Sequence, residues 1–131
     1  METNLHELFG SNEKNEKEGV WFQLNDKLSF KMKRFGGLNA SEVKKAYAKY
    51  YKPHARLIEK GLMPEDKEKR IFAKVWISSC LVDWKGVESN GKEIPFSFDT
   101  AVDVLSGLPD LLDTLVDVTQ DKDEFKEEVG N

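Results

Sequence analysis

In Leu81-Val82-Asp83-Trp84-Lys85-Gly86 an apolar run closes on a glycine, and after the polar bend Ser89-Asn90-Gly91 a new segment opens at Ile94-Pro95-Phe96-Ser97-Phe98. Ser97 is suited to an N-cap, because its hydroxyl can accept from the unpaired amides of a first helical turn. Tryptophan and phenylalanine rings lie on both sides of this joint. That arrangement predicts two helical units clamped at a fixed angle.

Upstream of the joint, Ile71, Phe72, Val75, Trp76, Ile77, Cys80, Leu81, Val82 and Trp84 cover more than one helical face. A helix that is apolar on several sides is a central one, surrounded by its neighbours. Pro64-Glu65-Asp66 starts it, with proline near the first turn and acids at the positive end of the dipole. Downstream, Ser97 or Asp99 caps a helix through Ala101, Val102, Val104 and Leu105; Gly107-Leu108-Pro109-Asp110 breaks it, and Leu111, Leu112, Leu115, Val116 and Val118 continue as another. Phe125 and Val129 fall in an acidic tail that extends or frays.

Further upstream, Val20–Leu24 and Leu28–Phe35 flank Asn25-Asp26, and Leu28, Phe30 and Met32 alternate with Ser29, Lys31 and Lys33. The period of two and the turn residues predict a hairpin, which must pack on helices to be stable. After Gly36-Gly37, Asn39 or Ser41 caps a helix carrying a stripe of Val43, Tyr47, Tyr50/Tyr51, His54 and Leu57/Ile58. Pro53 kinks or divides that helix, and Gly61 closes it.

The expected fold is therefore α+β, mostly α: an N-terminal β-hairpin packed on a bundle of four to five helices. Its core is built around Trp76, Trp84, Phe72, Phe96 and Tyr47. Residues 1–18 read as a disordered arm with one apolar cluster (Leu5, Leu8 and Phe9), residues 19–128 as a single domain and 129–131 as a tail. A chain of 131 residues suits one modest core. No apolar run is long enough to span a bilayer, and the N-terminus lacks the order of a secretion signal. A lone Cys80 among apolar neighbours reads as a buried thiol in a reducing compartment.

The net charge is −4, unevenly spread: residues 26–60 hold ten Lys/Arg against three Asp/Glu, whereas residues 93–131 hold two against eleven. Opposite poles attract, within one molecule or between copies. Lys45, Lys49, Lys52 and Arg56 on one side, and Asp113 and Asp117 on the other, are the candidate partner-binding residues. Basic residues interleaved with tyrosines over 31–56 also fit a nucleic-acid surface. An acidic chain and a stripe expected to face the core weigh against it.

Enzymatic signatures are scarce. His54 reads as a packed imidazole on the tyrosine stripe, and Cys80 has no flanking base signature. Asp83 and Asp99 are explained by capping and loop hydrogen bonds as well as by paired acid–base work. No phosphate loop, metal-spaced cluster or nucleophile elbow is legible. The reading is a non-enzyme without cofactor or metal.

Taken in order, Gly19-Val20-Trp21-Phe22, Arg34-Phe35-Gly36-Gly37-Leu38-Asn39, the Lys52-Pro53 break, Asp83-Trp84-Lys85-Gly86, Ile94-Pro95-Phe96-Ser97 and Leu108-Pro109-Asp110 resemble the tail assembly chaperones and related small tail proteins of long-tailed bacteriophages and prophages. The resemblance spans about residues 18–128. It implies a protein of the host cytoplasm that binds the tape-measure protein, keeps it soluble and helps recruit tail-tube subunits during virion assembly. Many such proteins also exist as a longer, frameshifted product with an extra domain; that domain is not visible here, so tube recruitment is expected to be absent from this form. A structural tail or head-tail component retained in the virion, and a nucleic-acid-binding regulator acting through 31–56, are the alternatives. Self-association is a further expectation.

Overall fold

The computed structural model describes residues 13–126. Helix α1 (Glu13–Glu18) leads into strands β1 (Val20–Gln23) and β2 (Ser29–Met32). A helical arm follows, made of α2 (Ala40–Ala46), a π turn (Tyr47–Tyr51), a 3-10 turn (Lys52–His54) and α3 (Ala55–Glu59). Then come the long helix α4 (Glu65–Cys80), strand β3 (Leu81–Lys85) and a small hairpin of β4 (Glu88–Ser89) and β5 (Lys92–Glu93). Helices α5 (Phe98–Ser106) and α6 (Pro109–Gln120) and a 3-10 turn (Lys122–Phe125) complete the fold. It is α+β and mostly α, with α4 in the centre, packed against the arm, α5 and α6.

The joint differs from its expected form. Leu81–Lys85 is not the end of the long helix but a strand, and the expected hairpin is an antiparallel sheet of three strands in the order β1-β2-β3. Near the end of α4 the hydroxyls of Ser78 and Ser79 donate to the Val75 carbonyl at 3.2 and 2.7 Å, local bonds that compete with the helical ladder. The Cys80 carbonyl accepts from the Lys33 amide of the β2 side at 2.7 Å. Val82 and Trp84 suit a pleated surface. Pairing aligns Phe30 with Trp84 and Lys31 with Asp83, and an irregularity then brings Leu81 opposite Met32. That bulge lets Leu81 and Trp84, three residues apart, both be buried.

Gly86 ends the strand at φ +80°, with the Lys27 backbone packed against its α-carbon. The other turns follow side-chain chemistry. Asn25 Oδ1 accepts from the amides of Lys27 and Leu28, both at 2.9 Å, which fixes the hairpin turn. Ser97 Oγ accepts from the Thr100 amide at 3.1 Å and so caps α5. Asn39 stands at the N-cap of α2 but makes no capping bond; its buried amide donates instead to the carbonyls of Arg34 and Ser79, both at 2.9 Å.

Trp76, Phe30, Met32, Ile77, Leu105 and Leu115 form the centre of the core. At the joint the Trp84 indole N–H donates to the Ile94 carbonyl at 2.8 Å, and the ring meets Phe96 and Phe30 edge-on at 5.3 and 6.4 Å. Phe72 and Phe96 are half-buried against this core. Tyr47, expected in the core, stands at the surface. The π turn that begins at Tyr47 adds a residue to the local turn and shifts the stripe, which leaves Tyr47 partly uncovered.

The end segments also depart from expectation. Residues 13–18 form a helix rather than part of a disordered arm, because the fully buried Glu16 carboxylate pairs with the Arg34 guanidinium. Phe125 does not fray: it is fully buried and meets Phe22 edge-on at 5.6 Å. The Leu5, Leu8 and Phe9 cluster and Val129 lie outside the described residues. No helix among the described residues is long and apolar enough to cross a membrane.

Candidate functional site

The arm leans along α4 and leaves an open groove of about 600 Å³ between itself, the start of α4 and the start of α6. Tyr47, Tyr51 and Ile58 form the arm's wall, while Phe72, Leu105 and Leu112 form the floor. Tyr47 stacks on Phe35 at 6.5 Å and meets Tyr51 edge-on at 5.8 Å, so the aromatic wall is braced from behind. Phe35 in turn meets Phe72 edge-on at 6.3 Å.

Glu65, Glu68, Asp110 and Asp113 stand at the rim with one cation, Lys69, whose ammonium lies 3.3 Å from Glu65. The two helix starts explain the acids. Glu65 and Glu68 belong to the first turn of α4 and Asp110 to that of α6, where negative charge is favoured. Pro109 at the start of α6 fixes the backbone as the chain turns into the groove. An apolar trough with an acidic lip is a surface for an amphipathic segment with basic flanks.

The six candidate partner-binding residues are not gathered here. Asp113 lines the groove; Asp117 is exposed one turn further along α6. Lys45 and Lys49 flank a shallow dip beside Tyr50 and Ser78, with Lys49 over the Tyr50 ring at 5.2 Å. Lys52 and Arg56 project from the arm into solvent. Tyr47 and Phe72 were expected only as core, and Tyr51, Ile58, Leu112 and the rim acids Glu65, Glu68 and Asp110 were not among the candidate partner-binding residues. The spacing of the aromatic and aliphatic ones was visible, but it reads equally as buried stripe.

The candidate reactive groups stand apart in character. Cys80 is buried, its sulfur 3.4 Å from the Ser79 hydroxyl, and burial pushes the thiol up to about 12, against small opposing effects of Ser79 and Lys33. Such a thiol is a poor nucleophile. His54 is exposed rather than packed, since the 3-10 turn carries it to the outside of the arm. Asp83 accepts from the Trp84 amide at 2.8 Å within β3, and Asp99 sits in the exposed first turn of α5. Among the described residues no group of three or more His, Cys, Asp or Glu side chains could hold a metal ion.

The family described as YdaY prophage protein matches residues 38–130. The chain belongs to that family. The matched part of this YdaY-family chain includes the arm, α4, the joint and both walls of the groove, and leaves out the β1–β2 hairpin. No curated protein matches the chain, and neither does any solved structure. Membership gives it the character of a prophage protein.

Proposed function

We propose that this YdaY-family protein is a tail assembly chaperone, which holds an amphipathic helix of the tape-measure protein in the arm groove and helps present it to tail-tube subunits in the host cytoplasm. The observation that carries this reading is the open groove of about 600 Å³, with an aromatic and aliphatic lining under an acidic rim. A helix docks in such a trough through apolar anchors one turn apart, and its basic flanks meet the rim. Prophage membership agrees with a part in virion assembly. The role proposed is binding, without catalysis or cofactor.

A nucleic-acid role through residues 31–56 meets an electrostatic obstacle. Tyr47 and Tyr51, two of the three rings that would stack on bases, line a groove whose rim carboxylates repel phosphate, and the third, Tyr50, is already stacked on Phe98. The tape-measure gene of the same prophage is to be expressed with and without this chain, and the soluble fraction of its product compared. The expected result is a large gain in soluble tape measure; equal precipitation in both cases overturns the reading. Mass spectrometry of purified particles separates a chaperone, absent from them, from a retained tail component.

A further inference from the structure

We propose that the protein also pairs with a second copy of itself, as a two-fold dimer in which the tip of each arm enters the other's groove. The tip carries Leu57 and Leu62, which are 46% and 66% exposed. The Leu62 amide donates to the Leu57 carbonyl at 2.8 Å around Gly61, at φ +70°, so the two leucines form one fixed knob. Neither lines the groove of its own chain; Ile58, on the same turn, does. Two exposed leucines on one tight turn form an apolar patch that a partner surface would cover.

The charges around knob and groove are complementary. Lys52, Arg56 and Lys60 are exposed about the tip, against one acid, Glu59. Among the described residues, four carboxylates ring the groove, against one lysine already beside Glu65. A positive knob and a negative socket on one chain steer two copies together and set their register. Knob and socket are also neighbours: Leu62 precedes Glu65 by three residues, at most about 10 Å of extended chain. When the two halves of a contact lie side by side, a two-fold axis between them lets each copy give and receive a tip at once. The charge match is then used twice per dimer.

This inference rests on the groove assigned above to the partner helix. It adds that the second copy and the helix compete for one surface, so the free protein shields its own groove and loading separates the pair.

Analytical ultracentrifugation of the full chain, with no tape-measure protein present, tests it. A dimer is expected at low salt, weakening as salt rises. The triple change Lys52→Glu, Arg56→Glu, Lys60→Glu should give monomer, as should Glu68→Lys, Asp110→Lys, Asp113→Lys. Combining all six should restore the dimer, because every reversed charge then meets a reversed partner. Leu62→Asp should weaken the dimer roughly tenfold or more. All these positions are exposed, and circular dichroism checks that each variant keeps its helices. A wild-type chain that stays monomeric, a dimer indifferent to both charge sets, or a combined variant that stays monomeric each overturns the proposal. Monomeric tip variants should still solubilise the tape measure, because their grooves are intact and unshielded. Loss of the chaperone reading alone leaves the dimer standing.

Discussion

The Trp76 indole N–H donates a 2.9 Å hydrogen bond to the Thr119 hydroxyl, which itself donates to the Val116 carbonyl at 2.8 Å. Both groups are fully buried. This hydrogen bond ties the C-terminal half of α4 to the last turn of α6, two of the helices that line the groove.

Thr119→Val keeps the shape but leaves the Trp76 N–H buried without its acceptor, which should cost about 1–3 kcal/mol. Trp76→Phe combined with Thr119→Val should be less destabilising than the sum of the single changes, because no donor is then stranded. Trp76→Ala, which also opens a cavity, should cost about 3–5 kcal/mol. Urea unfolding followed by circular dichroism measures all four; an unchanged midpoint for Thr119→Val would show that the bond carries no stability.

Gly86→Ala should destabilise far more than Gly91→Ala. Both glycines have positive φ, +80° and +77°, so a side chain strains either. At Gly91 nothing lies within 4 Å of an added Cβ, and the cost should stay at about 1 kcal/mol. At Gly86 the new methyl would run into the Lys27 carbonyl, adding about 1–3 kcal/mol of overpacking and loosening the hairpin turn against β3. Equal melting temperatures for the two variants would rule out this close approach.

The buried Cys80 makes stability depend on alkaline pH. Its thiol is raised from 9.0 to about 12 by burial, so above about 9 the unfolded chain loses this proton while the folded chain keeps it. The folded state binds more protons there, and stability should fall with a slope of up to about 1.4 kcal/mol per pH unit between those limits. Below about 9 the group contributes no slope. Cys80→Ala should lose this component, read as the difference between wild-type and variant unfolding curves across that range. Parallel curves would contradict it, as would rapid alkylation of the native thiol.

The groove was only partly legible before the structure. Tyr47, Tyr51 and Ile58 share the helical spacing of a core stripe, and periodicity cannot tell a face buried in its own chain from one left open. The deciding event is local: a π turn just ahead of Pro53 shifts the stripe, so that Tyr50 stacks on Phe98 at 5.7 Å while Tyr47 and Tyr51 turn to the groove. The charge poles were plain in the sequence. Their placement was not, since Asp113 reaches the groove and Lys45 and Lys49 do not.

Local chemistry by itself determined the hairpin turn at Asn25, the Ser97 cap, the break at Gly107–Pro109 and the central place of α4, because each depends on residues a few positions apart. The third strand was decided only in three dimensions. Ile77, Cys80, Leu81 and Trp84 are spaced like a helix face, yet the bulge between Lys31 and Met32 lets a strand bury Leu81 and Trp84 together. A helix of this spacing and a bulged strand bury the same side chains, so hydrophobic pattern cannot separate them; the open edge of β2, from a segment about fifty residues earlier, does. The buried Glu16 beside Arg34 is the same case, a charge whose partner was brought to it by the fold.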